Sequence, residues 1–450
     1  MELNSSSHFI DSLKETIPEV LIEDEDVVRT YNSDWTGKLL GRARFLLRPS
    51  STAQLELILM LANRFRTPIH VQGGNTSLVG GATPIRSDFI LTTSKLKRIR
   101  HFDGQLGRVT CEAGVTLSEL STYLAGTGFH LGVDLASRDS ATIGGMISTN
   151  AGGIHFIRHG GFRNQVISLD LVTPAFGLIA APSQLLKDNT GIDVGRIAVG
   201  AEGTIGVVTS ASLRLIPNSS SSFTALVGVA TFSEALDRLQ YVRQFATLSA
   251  AEFFTYDGVV LVEEALGASV PFRSQYYLLF QFDGGYSLEQ ELVEAFKGIE
   301  GELAVASDPN GAKRLWALRD HHTLAISTLG KVDKYDVSFD LGQIEAFWNN
   351  AKQRLHALTK SAKCYIFGHL GDGNVHLNVV STLPSEEVDE AIIGLTLEMR
   401  GSISAEHGIG TLKSSFMARA KNDAQLQAMR AIKATFDPHS ILNPGVIFRE

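Results

Sequence analysis

The chain has 450 residues, 44% of them hydrophobic and 20% charged, with a formal net charge of −8. That length exceeds a single hydrophobic core and predicts at least two domains, while the acidic balance offers no basic footprint for nucleic acid. Two cysteines, Cys111 and Cys364, exclude a disulfide scaffold and a cysteine-rich zinc site and suit a reducing, cytoplasmic setting.

The opening "MELNSSSHFIDSLKETIPEVLIEDEDVV" is acidic and has no continuous apolar run. It matches neither a secretory signal nor an Arg-rich mitochondrial presequence. No stretch reaches about 18 uninterrupted apolar residues, so no transmembrane segment is expected. Residues 1–41 read as a polar helical segment packing on the domain that follows. "ARFLLRPSSTAQLELILMLANRFRTPIHVQGG" then reads as strand, Ser-Ser N-cap, helix and strand. Short β-rich runs and glycine clusters alternate from there to Pro217. "PNSSSS" is a linker composition and places a boundary at 217/218. Beyond it, "FTALVGVATFSEALDRLQYVRQF" and "YYLLFQFDGG" followed by "SLEQELVEAFKGI" alternate strand and helix. With later hairpins, this predicts an antiparallel sheet covered by helices. The second domain is drawn over 218–436. A helix stopped by Asp437-Pro438 leaves a tail at 437–450.

Three glycine clusters fall in 42–217. "VQGGNTSLVGGATP" carries Gly73, Gly74, Gly80 and Gly81, which permit positive φ and leave no Cβ in the way of a close ligand. Successive N–H groups in such turns form anion nests, and Asn75, Thr76 and Ser77 add side-chain donors. "SATIGGMISTNAGG" and "VGAEGTIGVVT" repeat the chemistry. One such cluster alone is an ordinary glycine-rich turn; three in one domain suggest a large, polar-edged ligand wrapped by backbone. None fits G-x-x-x-x-G-K-[ST], or G-x-G-x-x-G between strand and helix.

With "QGGNTSLVGG", "GVDLASRDSATIGGMISTNAGG", "LLKDNTGIDVGRIAVGAEGTIGVVT" and the late "DPHSILNPG" in this order, the sequence resembles the vanillyl-alcohol oxidase-type flavoproteins, in their branch of FAD-linked D-2-hydroxy acid dehydrogenases. The resemblance covers most of 42–217 and about 310–448. It implies an α+β architecture: a two-subdomain FAD-binding domain of the PCMH type and a C-terminal α+β cap domain built on an antiparallel sheet, with the last residues returning to the FAD domain. It assigns Gln72, Gly73, Gly74, Asn75, Thr76, Ser77, Gly80 and Gly81 to the FAD diphosphate side. Thr142, Gly144, Gly145, Thr149, Ala151, Glu202 and Val207 would line the rest of the cofactor, with Asn443 near the ring. Asn75 stands in a loop without histidine, so FAD is expected without a covalent link. Ser77 and Ile192 depart from the residues common in relatives, but no paired glycine is lost.

"IFGHLGDGNVHLNVV" places His369 and His376 on either side of a Gly-Asp-Gly turn. In a hairpin the two imidazoles approach each other. They could share an ion, with Glu406 of "SISAEHGIG" as third ligand, or form a structural hydrogen-bonded pair. The resemblance favours a divalent metal, with zinc suited to the ligands. His407 is then the candidate base that takes the substrate hydroxyl proton. "LWALRDHHTLAIS" and "KVDKYDVSF" read as a helix and a strand. By themselves Arg319, Thr323 and Lys334 are surface residues. The resemblance to the D-2-hydroxyglutarate dehydrogenase subgroup makes them, with Asn378, candidates for holding substrate carboxylates. His321 and His322 read as helix surface or as neighbours of the site. The expected activity is oxidation of a D-2-hydroxy acid, D-2-hydroxyglutarate first, to the 2-oxo acid. The alternatives are a D-lactate or glycolate dehydrogenase, or a metal-free flavoprotein oxidase. An external electron acceptor such as an electron-transfer flavoprotein or a quinone is implied, and a homodimer is a further expectation.

Overall fold

In the computed structural model, the described residues are 2–449 other than 35, 36, 38, 182–184, 186, 246, 268, 286, 287 and 298–301. The chain divides into two units. The first comprises Met1–Gly153, Gly160–Asn218 and Glu406–Glu450; the second comprises Ile154–His159 and Ser219–Ala405. The sequence reading places the second domain's end at 436; here the chain passes to the first unit at Glu406.

The first unit holds two sheets. In one, strands Leu21–Ile22, Phe45–Leu47, Phe89–Thr92 and Ile69–Gln72 lie side by side, the outer pair antiparallel and the rest parallel. A parallel neighbour needs a crossover, and helix Thr52–Phe65 supplies it. Ser51 caps that helix by accepting from the Gln54 N–H, and Arg66 ends it in a left-handed conformation (φ 51°). Leu55, Ile58, Leu59 and Ala62 form its buried stripe. They join Leu47, Ile69, Phe89 and Leu91, with Phe9 and Leu13 from helix Glu2–Thr16, in one core. Each large side chain buried there contributes roughly 2 kcal/mol.

The other sheet is antiparallel, in the order Ile99–Asp103, Arg108–Glu112, Val207–Pro217, Val166–Thr173, Gly177–Ile179. Val207–Ser212 is buried on both faces, as a central strand covered on each side must be. The last helix, Asp423–Phe436, ends at Asp437. The tail then pairs with strand Ile69–Gln72: Ile69 N–H donates to Ile441 O at 2.8 Å, and Asn443 N–H donates to Ile69 O at 3.0 Å. The C-terminal residues thus pair with a strand of the first unit. Lys433, buried, clamps them by donating to Thr204 O, Asp437 Oδ2 and Leu442 O at 2.9, 2.9 and 3.1 Å.

The second unit is built on a seven-stranded, wholly antiparallel sheet. Its order is Leu303–Ala306, Ser221–Val229, Tyr276–Gly284, Leu248–Thr255, Lys363–His369, Asn374–Val380, Val332–Ser338. On one face Leu226, Phe254, Tyr277, Leu279 and Phe367 pack with Val259, Leu315, Leu318 and Ile326. Those partners come from helices Tyr256–Leu266, Pro309–Asp320 and His322–Ser327. Among the described residues no helix is long and apolar enough to cross a membrane.

Candidate functional site

The first glycine loop follows strand Ile69–Gln72. Gln72 is buried and donates to Tyr31 O and Ala82 O at 3.0 and 2.8 Å, while Asn75 donates to Ser33 O at 2.8 Å. Ser77 Oγ accepts from Val79 and Gly81 N–H. These side chains fold the loop on itself, with Asn75 and Gly80 at positive φ. Among the described residues none accepts a hydrogen bond from the backbone N–H groups of Gly74, Asn75, Thr76, Ser77 or Leu78. A run of unanswered donors on half-buried backbone suits a diphosphate.

The glycines have a packing role that the sequence reading missed. A Cβ on Gly74 would lie 1.7 Å from Ser140 O, and one on Gly73 would lie 2.5 Å from Thr142 Oγ1. What comes close is the second glycine cluster. Thr142 caps helix Ile143–Thr149 by accepting from Gly145 N–H, and Gly144 packs on Ala113. Thr149 Oγ1 bonds Gly145 O, and Ala151 and Val207 are buried. Glu202, at φ 50°, turns its buried carboxylate to the N–H groups of Ile409 and Gly410, both at 2.8 Å. Burial pushes this carboxyl above its ordinary range, against those two donors and nearby Lys413. Asn443 Oδ1 accepts from Val71 N–H, and its Nδ2 donates to Glu202 O. Glu202 and Asn443 therefore fasten the third cluster and the tail to the first. In this unit Glu406 Oε1 accepts from Gly153 N–H at 3.0 Å.

In the second unit, strands Lys363–His369 and Asn374–Val380 form the expected hairpin. Period-two alternation puts Lys334, Asp336, Asn378, His376, Phe367, His369 and Glu252 on one sheet face, in the register Lys334↔Asn378, Asp336↔His376, Phe367↔His376 and Glu252↔His369. His369 Nε2 and His376 Nε2 face each other at 3.3 Å. The other nitrogen of His369, Nδ1, lies 2.6 Å from Glu252 Oε1, and Glu252 Oε2 accepts from Arg319 Nε at 2.8 Å. His376 Nδ1 lies 3.8 Å from Asp336 Oδ1, and Asp336 Oδ2 accepts from Ala405 N–H at 3.1 Å. The Arg319 guanidinium lies 4.9 Å from the Phe367 ring centre. Glu252 is fully buried. Burial pushes its carboxyl up, and the His369 and Arg319 charges reverse this, holding it below the ordinary carboxylate range.

This geometry suits an ion. A tetrahedral centre with bonds of ~2.0–2.1 Å to two imidazoles holds them ~3.3–3.4 Å apart. A carboxylate on the far ring nitrogen is the usual support of a metal-binding histidine. Arg319 and Asn378 are buried here, whereas Thr323 and Lys334 are exposed. The helix expected over 315–327 breaks at His321, which caps Pro309–Asp320 and starts His322–Ser327. Arg319 thus lies in the first of these helices and Thr323 in the second. His322 is fully buried between Phe254 and Phe367, not on a helix surface. Sequence reasoning also passed over Glu252 and Asp336. The available signal for Glu252 was a single carboxylate in the apolar run "LSAAEFFT".

Three interlocked glycine clusters in one unit and paired histidines on the antiparallel sheet of the other define an FAD-dependent oxidoreductase. Residues 43–180 match the family described as FAD binding domain, and residues 219–447 match FAD linked oxidases, C-terminal domain. The chain belongs to this FAD-linked oxidase family and is an enzyme of its dehydrogenases and oxidases. It is 35% identical to the mitochondrial D-2-hydroxyglutarate dehydrogenase of Bos taurus, over 96% of this chain and 82% of that protein. It is 30% identical to a D-2-hydroxyglutarate–pyruvate transhydrogenase of Saccharomyces cerevisiae, over 92% of this chain and 88% of that one. Solved structures share the fold. An alkyldihydroxyacetonephosphate synthase is 18% identical with TM-score 0.75, covering 97% of this chain and 84% of its own. The 4-ethylphenol oxidase from Gulosibacter chungangensis is 14% identical with TM-score 0.72, covering 99% and 97%.

Proposed function

We propose that this enzyme oxidises a D-2-hydroxy acid, D-2-hydroxyglutarate first, to the 2-oxo acid, using FAD held without a covalent link and a divalent ion. The observation that carries the reading is the facing pair of Nε2 atoms, 3.3 Å apart, with a buried carboxylate behind one of them. His369 and His376 would hold the ion, with Glu406 as third ligand and zinc as the metal. Bound FAD supplies the two-electron acceptor, and a bound ion lowers the pKa of the substrate hydroxyl. His407 takes the hydroxyl proton on an imidazole nitrogen. Arg319 and Asn378 bind and orient the carboxylates, joined by Thr323 and Lys334. The electrons pass onward to an external acceptor such as an electron-transfer flavoprotein or a quinone. Support comes from "GHLGDGNVHLN" and "AEHG" in the sequence and from the named substrates of both relatives.

The test is anaerobic mixing of the FAD-loaded protein with D- and L-2-hydroxyglutarate, D-malate, D-lactate and glycolate, with metal content measured in parallel. Bleaching of the flavin by the D isomer, lost on chelation and restored by zinc, is expected. No bleaching by any of these acids would end the substrate assignment. Full bleaching by metal-free protein would end the role of the ion.

A further inference from the structure

We infer that Glu252 is a positioning residue that serves two partners at once: it fixes His369 in the tautomer whose Nε2 lone pair would bind a metal, and it anchors the Arg319 guanidinium. The inference rests on the metal reading above and goes beyond it. A carboxylate accepts hydrogen bonds and donates none. With Oε1 2.6 Å from His369 Nδ1 and Oε2 2.8 Å from Arg319 Nε, the ring, once neutral as a metal ligand must be, has to keep its proton on Nδ1. The lone pair then sits on Nε2, the atom that faces His376. Arg319 spans from this carboxylate to the Phe367 ring, which fixes the plane of its fork. All of these groups are buried or nearly so, so water does not compete for the contacts.

The chemistry of the nearest isostere gives the test. A glutamine has one acceptor and one donor group. If its oxygen serves Arg319, its NH₂ faces His369 Nδ1. That ring must then accept there and carry its proton on Nε2, which closes the metal nitrogen. If the oxygen serves His369, the NH₂ confronts Arg319. Glu252→Gln therefore breaks one arm, and arginine, a permanent cation with a donor to place, holds the oxygen.

Zinc affinity is read on the FAD-loaded full chain by competition with a chromogenic chelator, with flavin content and Tm measured alongside. Glu252→Gln should weaken zinc 10–100-fold without changing the flavin ratio. The double variant Glu252→Gln/Arg319→Met frees the amide oxygen for His369 and should recover zinc affinity over Glu252→Gln alone. A merely structural role predicts further loss instead. Zinc affinity equal to wild type in Glu252→Gln, or no recovery in the double variant, overturns the inference while the metal reading stands. A wild-type chain that binds no zinc overturns both. Should Glu252→Gln fail to fold, Glu252→Asp, which keeps an acceptor-only group, must retain zinc far better than Glu252→Ala; equal loss in the two overturns it.

Discussion

Replacing Gly74 by alanine tests the cofactor cradle at its tightest point. The added Cβ would lie 1.7 Å from Ser140 O and 2.6 Å from its carbonyl carbon. Both are backbone atoms, so no side-chain rotation relieves the clash. Cβ contacts under 3.0 Å are essentially never found, so one loop must retreat by the 1.3 Å between those two distances. Overpacking of this kind costs about 1–3 kcal/mol. The retreat separates the first glycine cluster from the second and moves the N–H groups of 74–78, which suit a diphosphate. If the whole cost falls on cofactor binding, FAD affinity drops by roughly 5–150-fold. Titration of flavin-free protein with FAD, followed by quenching of flavin fluorescence, reads this directly, with Tm as a check on folding. Gly342→Ala is the control, because nothing lies within 4 Å of its Cβ and its φ is ordinary. A Gly74→Ala protein that loads FAD with the wild-type Kd and melts with wild-type Tm would refute the reasoning.

Three further outcomes are expected. Lys433→Met leaves the buried Asp437 carboxylate without its cation and should destabilise the first unit by about 3–5 kcal/mol, measured by urea unfolding. His369→Ala and His376→Ala should each abolish stoichiometric zinc and reduce flavin bleaching by D-2-hydroxyglutarate at least ~100-fold, read by elemental analysis and stopped-flow absorbance. Burial lowers His70 from 6.5 to about 4 and His322 to about 3, so the unfolded chain binds these protons first. The stability of the neutral rings is complete above ~6.5 and is lost as pH falls toward those lower values, each ring costing about 2 kcal/mol between pH 6.5 and 5. Urea midpoints at the two pH values check this, and His322→Phe should flatten the profile by one ring's share.

Local rules carried the reading where a residue's role is local. The Ser51 cap, the stripe Leu55, Ile58, Leu59 and Ala62, the stop at Asp437 and the Gly-Asp-Gly hairpin are each written within a few residues of where they act. The sequence reading took the glycine clusters as a ligand cradle, whereas what the structure shows of Gly73 and Gly74 is a packing role. Their missing side chains admit another loop from about 65 residues further along, and no local pattern announces that approach. The break at His321 was invisible for a related reason. A helical pattern continues through "LRDHHTLAIS", yet the chain turns at His321, with Arg319 and His322 buried on either side of it.

The least legible residue is Glu252, and the reason is physical. A charged group in an apolar central strand conflicts with every local preference, so it persists only if distant partners repay its desolvation. Those partners are Arg319, 67 positions away, and His369, 117 positions away. Each carries its own, more visible motif. The lone acid in "LSAAEFFT", once buried, therefore requires buried donors from elsewhere in the chain. The donors that meet it are the arginine and one of the histidines already singled out for substrate and metal. A buried carboxylate in a strand is best read as a demand for partners: it predicts that two residues from separate motifs meet, and here they meet at Glu252.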